Sequence, residues 1–237
     1  MNSKVVIGKR FCGPPDSGNG GYVCGVMAGY IDDVAEVTLR QPPPLDKPMS
    51  VERVNAGRII LRDGEAIVAE AKPATLELDV PSPPSFHQAS EASRSYLGFE
   101  YHPFPTCFVC GTDRDEADGL RIFAGKNETN NMVSAPWVPD QGLADNEGHI
   151  RPEFLWSALD CPGYFAAIND DFVPILLGRL TARIHLPVTF GEECVVIGWQ
   201  IRKDGRKHHI GTALFSSSGE LCGYARATWI QVDKLSI

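Results

Sequence analysis

No stretch of this sequence is long and apolar enough to span a bilayer. The amino end, Met1 to Phe11, carries Lys4, Lys9 and Arg10 but lacks the apolar core of a signal peptide. Positive charge is scarce. The 22 Lys and Arg residues face 30 Asp and Glu residues, for a net charge of −8. Nucleic-acid and membrane-surface binders need a basic face, so neither partner is expected. There is no Gly-x-Ser-x-Gly elbow, and Ser216 to Ser218 ahead of Gly219 read as a hairpin turn. Strands and helices do not alternate as a parallel sheet requires, so Gly18-x-Gly20 is not a dinucleotide fingerprint. Cys107-x-x-Cys110, with His102 nearby, has no second Cys-x-x-Cys to complete four zinc ligands. The pair therefore reads as buried or edge thiols, and neither metal nor cofactor is expected. Seven scattered cysteines, an odd number, suit a reduced cytoplasmic setting. The sequon Asn127-Glu128-Thr129 would carry no sugar there.

What is present suits a globular α+β protein. The hydrophobic share of 43% is enough for a core in a chain of 237 residues. Gly18-Asn19-Gly20-Gly21-Tyr22 opens an apolar run that continues through Val23, Val26, Met27 and Ile31. Glycines ahead of such a run read as a helix whose first-turn N–H groups are bare and approachable. That end carries a partial positive charge and accepts an anion or a developing oxyanion. A plain turn is the competing reading. A second apolar run, Arg151 to Ile168, starts with Pro152 in its first turn and carries Asp160 among Phe154, Leu159 and Phe165. Pro162-Gly163 should kink it. Asp160 is either a site carboxylate or the partner of a kink or of a buried Arg.

Strands are predicted at Lys4 to Ile7, Val34 to Arg40, Met49 to Asn55, Arg58 to Arg62 and Ala66 to Ala71, with Asp63-Gly64 as a hairpin turn. Thr75 to Val80 extends the last of these. Residues 81–102 open with Pro81-Ser82-Pro83-Pro84 and read as a linker with a short helix at Gln88 to Arg94. It divides an N-terminal unit, residues 1–80, from a C-terminal unit, residues 103–237. In the second unit strands are predicted at Gly119 to Ala124, Met132 to Trp137, Leu176 to Leu186, Cys194 to Ile201, His209 to Phe215 and Leu221 to Val232. The two units read as an internal duplication. Thr38-x-Arg40 ahead of Pro44 matches Thr181-x-Arg183 ahead of Pro187, and Asp63-Gly64-Glu65 matches Ser218-Gly219-Glu220.

Strand, helix and antiparallel meander, given twice, resemble the hotdog-fold thioesterase superfamily in its double-hotdog form. In its phenylacetyl-CoA-type members the helix opens with His-Gly-Gly and bears an Asp or Glu about two turns along. Asn19-Gly20-Gly21 matches that opening, with Asn for His, and Ala28 stands where the acid would be. In the second unit Asp160 matches the acid, while Arg151-Pro152-Glu153 replaces His-Gly-Gly. Cys107-Phe108-Val109-Cys110-Gly111, followed by Gly119-Leu120, resembles a lead-in found upstream of such units.

The resemblance implies one composite site between paired units, each keeping what the other lost. It implies hydrolysis of an acyl thioester on CoA or an acyl carrier. Gly20 and Gly21 would supply oxyanion donors, Asn19 would orient the carbonyl, and Asp160 would be base or nucleophile. Tyr22 and Trp156 are candidates for the acyl pocket, with core packing as the competing reading. Arg179, Arg183 and the basic tip Arg202 to His209 are candidates for the CoA phosphates, the tip having a solvated turn as its alternative. Two fused units would form a pseudo-dimer that can associate further. The alternatives are a catalytically silent acyl-CoA-binding or assembly protein and a hotdog hydratase or dehydratase.

Overall fold

A computed structural model describes residues 3–54, 57–127, 131–168 and 172–234. Asn55, at the end of one predicted strand, and Glu128 and Thr129 of the sequon lie outside the described residues. Among the described residues eleven strands form one antiparallel sheet. From the first half come β1 (Ser3–Val5), β2 (Ala35–Leu39), β3 (Met49–Arg53), β4 (Ile59–Asp63) and β5 (Ala66–Pro73). From the second come β6 (Gly125–Lys126), β7 (Met132–Trp137), β8 (Ile175–Ile184), β9 (Cys194–Asp204), β10 (Lys207–Phe215) and β11 (Leu221–Gln231). Their spatial order is β1-β3-β4-β5-β2-β8-β11-β10-β9-β7-β6. The halves join at the β2–β8 pair, where Val37 faces Leu180 and Ala35 faces Ala182. All four are fully buried, so this seam is core.

Alternation decides most of these strands. In β3, Met49 and Val51 are buried while Ser50 and Glu52 are less so, the period of a half-buried strand. The β4–β5 hairpin forms where predicted, but its two loop residues are Gly64 and Glu65, because Asp63 pairs with Ala66. Gly64 takes a φ of 59°, which such a turn requires and glycine adopts without strain. One predicted strand and one predicted strand extension are absent from the sheet. Gly119 to Ala124 is spent on a loop, the amides of Leu120 and Ile122 donating to the carbonyls of Phe108 and Val109 at 2.8 and 2.9 Å. Thr75 to Val80 runs outside the sheet, where Leu76 packs into a second apolar cluster with Ala89, Ile197 and Phe215.

Among the described residues four α-helices pack on the sheet: α1 (Gly20–Ala28), α2 (Phe86–Ser93), α3 (Pro152–Ala158) and α4 (Cys161–Ile168). Helix α2, inside the predicted linker, begins with a capping box in which Ser85 and Gln88 exchange hydrogen bonds. The predicted interruption of the second apolar run falls at Leu159-Asp160. Pro162 has no N–H to offer the preceding turn. The Leu159 carbonyl accepts instead from the Thr212 hydroxyl at 2.7 Å, and the Gly163 amide turns to the Asp160 carbonyl at 2.9 Å.

Candidate active site

Helices α1 and α3 lie against each other, and two glycines set how close they come. Gly21 and Gly25 are four residues apart and share one face. A Cβ on Gly25 would stand 2.6 Å from the Glu153 Cα, and a Cβ on Gly21 would stand 2.4 Å from the Asp160 Cβ. Both are far inside normal carbon contact, so only hydrogen at these positions permits the approach. The approach brings the start of α1 onto Asp160.

The loop ahead of α1 is fixed by backbone bonds. The Gly18 amide donates to the Pro43 carbonyl and the Asn19 amide to the Phe11 carbonyl, each at 2.8 Å. Asn19 caps the helix, its side-chain oxygen accepting from the Tyr22 amide at 2.9 Å. Its side-chain NH2 donates to Asp160 Oδ2 at 3.0 Å, and the Gly21 amide donates to the same oxygen at 2.9 Å. Asp160 Oδ1 is buried without a hydrogen-bond partner. Burial drives the Asp160 carboxyl upward to about 7, with the thiol of Cys107 adding to the rise, against the lowering effect of the Gly21 amide and the Asn19 side chain. A carboxyl so placed changes charge near neutrality and retains a free oxygen.

Asp160, Asn19 and Gly20 line a cavity of about 570 Å³. Its walls come from the loop 13–20, Pro42 and Pro43, the segment His102 to Phe104, the face of α4 carrying Tyr164 and Phe165, and the strand ends at 175–178 and 229–232. They are mainly apolar, and Arg40 also lines the cavity. Three first-turn amides of α1 have acceptors: Gly21 on Asp160, Tyr22 on the Asn19 side chain, and Val23 on the Asn19 carbonyl.

Asn19, Gly20, Gly21 and Asp160 therefore converge, but with a different division of labour. The Gly21 amide serves the carboxylate, so it is not an open donor for a substrate oxygen. Tyr22 and Trp156 do not line the cavity. Tyr22 stacks on Phe11 at 4.1 Å inside an aromatic cluster, and its hydroxyl is pushed up to about 12, by burial first and by Glu153 second. Trp156 is 3% exposed and packs at the α1–α3 contact. Arg179 and Arg183 do not line it either. Arg179 donates to Thr38 at 3.0 Å and pairs with Glu36 at 3.6 Å, and Arg183 pairs with Asp33 at 2.9 Å. These contacts tie β8 to β2 and its lead-in turn. The basic tip around Gly205 is likewise no part of the cavity wall. Sequence reasoning missed Arg40, Tyr164, Leu177 and Trp229 as wall residues, since each carries the local pattern of an ordinary strand or helix. It also missed Cys161, which meets Cys107 at 3.8 Å between sulfurs.

No known family model matches the sequence, and no curated protein matches it by sequence. In three dimensions it is similar to the tesB protein of Mycobacterium avium subsp. paratuberculosis, with a TM-score of 0.61 and 12% identity over 91% of this chain and 87% of that one. A candidate thioesterase II of Thermobifida fusca gives 0.63 and 14% over 98% and 92%. A conserved hot-dog-fold protein of unknown function from Alicyclobacillus acidocaldarius gives 0.61 and 10% over 99% and 97%. Such low identities carry the fold alone. The chain is a double hotdog, an α+β protein whose sheet wraps paired central helices. Among the described residues no helix is long and apolar enough to cross a membrane.

Proposed function

We propose, for a chain of this fold, that it hydrolyses an acyl thioester carried by CoA or a pantetheine arm, in the cavity at the meeting of α1 and Asp160. The observation that carries this reading is the buried carboxylate, clamped through one oxygen by Asn19 and Gly21 and free at the other. It lies on a mainly apolar cavity large enough for an acyl group. Thioesterase names among the similar folds support the reaction class.

Asp160 Oδ1 takes a proton from a water, whose oxygen attacks the thioester carbonyl. The Gly20 amide, at the positive end of α1, receives the charge that builds on the carbonyl oxygen. The carbon–sulfur bond then breaks, and the proton passes from Asp160 to the leaving sulfur. The products are a carboxylic acid and a thiol. Arg40, at the cavity wall and paired with Glu70 at 2.9 Å, is the cation that would meet a phosphate of the carrier.

The test is thiol release from a panel of acyl-CoA esters of varied chain length and aromatic content. Asp160→Asn keeps the acceptor that Gly21 and Asn19 need but cannot take a proton. Its kcat should fall by about 10²–10⁴-fold. Hydrolysis that persists unchanged in this variant would remove Asp160 from the reaction. A second reading has one observation in its favour. Asn19 and Gly21, the donors expected to hold a substrate oxygen, are already spent on Asp160. A silent acyl-binding protein would bind the same esters and release no thiol.

A further inference from the structure

Three cysteines, two from one turn and one from a distant helix, meet beside the cavity. The sulfurs of Cys107, Cys110 and Cys161 all lie within 4.8 Å of one another, and all three residues are buried. Cys107 and Cys110 are brought together by a tight turn closed by the Gly111 amide on the Cys107 carbonyl at 2.9 Å. A Cβ at Gly111 would stand 2.4 Å from the Pro105 carbonyl oxygen, so the turn requires glycine. Cys161 arrives from the start of α4, which the break at Leu159-Asp160 points at this turn.

N–H groups surround the sulfurs. The Asn19 side-chain nitrogen lies 3.8 Å from the Cys107 sulfur and 3.9 Å from that of Cys161. His102 accepts the Phe104 amide on Nδ1 at 2.9 Å, which leaves the ring proton on Nε2, 3.3 Å from the Cys110 sulfur. These donors suit thiolates. They are neutral groups, however, and three thiolates in contact need a positive charge among them. The spacing suits a cation at the centre. Tetrahedral ligation with Zn–S bonds of about 2.3 Å puts sulfurs about 3.8 Å apart, and Cys107 and Cys161 stand at 3.8 Å. A disulfide would use two sulfurs and strand the third.

We propose that Cys107, Cys110 and Cys161 form a three-thiolate site for a zinc-class divalent cation, with its fourth position open to the cavity. His102 and Asn19 hold the ligands from behind by N–H···S bonds. The site pins the segment carrying Cys107 and Cys110 to α4 next to Asp160, and its existence does not depend on the hydrolytic reading.

The experiment uses the full untagged chain, purified reduced, loaded with zinc and dialysed, with metal counted by elemental mass spectrometry. Cobalt is then substituted, and the thiolate-to-cobalt charge-transfer absorbance reports the number of sulfur ligands. We expect one zinc per chain and a band of three-thiolate strength. Cys107→Ser, Cys110→Ser and Cys161→Ser should each weaken metal affinity by at least about tenfold and lower the band, while Cys222→Ser leaves both unchanged. Should a serine variant fail to fold, the wild-type cobalt band still reads the sulfur count. A wild-type chain with all seven thiols reduced that retains no zinc and gives no such band overturns the proposal. So does equal metal loss in Cys222→Ser, or a Cys107–Cys161 disulfide in the freshly isolated protein.

Discussion

Replacing Gly21 by alanine tests the contact on which the site is built. The added methyl would stand 2.4 Å from the Asp160 Cβ, 3.0 Å from the Ser157 Cα and 3.0 Å from the Trp156 carbonyl. Carbon atoms rest at about 3.5–4.0 Å, so α1 and the α3–α4 junction must separate by more than about 1 Å. Two of the three obstacles are backbone, which cannot swing aside as a side-chain tip can. Overpacking of this kind costs about 1–3 kcal/mol. The same movement stretches the 2.9 Å bond from the Gly21 amide to Asp160, and a hydrogen bond to a charged group contributes about 1.5–3 kcal/mol. Gly25→Ala is the control. Its methyl would meet Glu153 at 2.6 Å on the same helix face, one turn from Asp160. Both variants should lose about 2–4 kcal/mol in urea denaturation, a fall in Tm of about 2–4 °C for each kcal/mol. They should differ in kcat/KM for thioester hydrolysis. Misplacing the carboxylate by about 1 Å predicts a loss of about 10²-fold in Gly21→Ala, against less than tenfold in Gly25→Ala. Stability in Gly21→Ala within 0.5 kcal/mol of wild type, a span of about one surface substitution, would refute the close-approach argument. Equal kcat/KM in the two variants would refute the coupling of that approach to Asp160.

Asn19→Ala removes both the α1 cap and a donor to Asp160, so it should cost about 1 kcal/mol of stability and reduce kcat more than it raises KM. Gly20→Ala meets side chains and no backbone, with Leu177 at 2.9 Å and Leu39 at 3.2 Å. Both line the cavity, so KM should rise for bulky acyl groups with little change in the melt. Burial works to raise the Glu70 carboxyl, but hydrogen bonds from Arg58 and Arg40 outweigh it and hold the group below its ordinary value. A depressed carboxylate stabilises the fold above its unfolded value, about 4.3, and that stability is lost as pH falls through the folded value. Because both arginines are about half exposed, Glu70→Gln should cost only about 1 kcal/mol at pH 7. The gap to wild type should close in denaturation curves taken below about pH 4, and a gap that widened in acid would be the wrong sign.

Local chemistry carries far in this chain. Alternation of apolar and polar residues is a property of a few neighbours, so ten of the eleven strands could be read within a few residues, as could the glycine-led helix and the interrupted second run. An acid inside an apolar run, Asp160, was legible as an oddity because burial of a carboxylate is costly wherever the run packs. The pairing of Asn19-Gly20-Gly21 with Asp160 was legible only through the resemblance to the hotdog thioesterases. What no local pattern holds is which faces meet. The hydrogen on Gly21 matters because Asp160 stands opposite it. That amide became a clamp for the carboxylate because the α1–α3 approach is that close. Arg179 and Arg183 look the same in sequence whether they face a phosphate or Glu36 and Asp33. Cys161 joins Cys107 and Cys110 only because one helix ends and another begins at Asp160. Periodicity records how much of a side chain is buried. Its partner is decided by long-range packing, where shape and charge from distant segments are satisfied together.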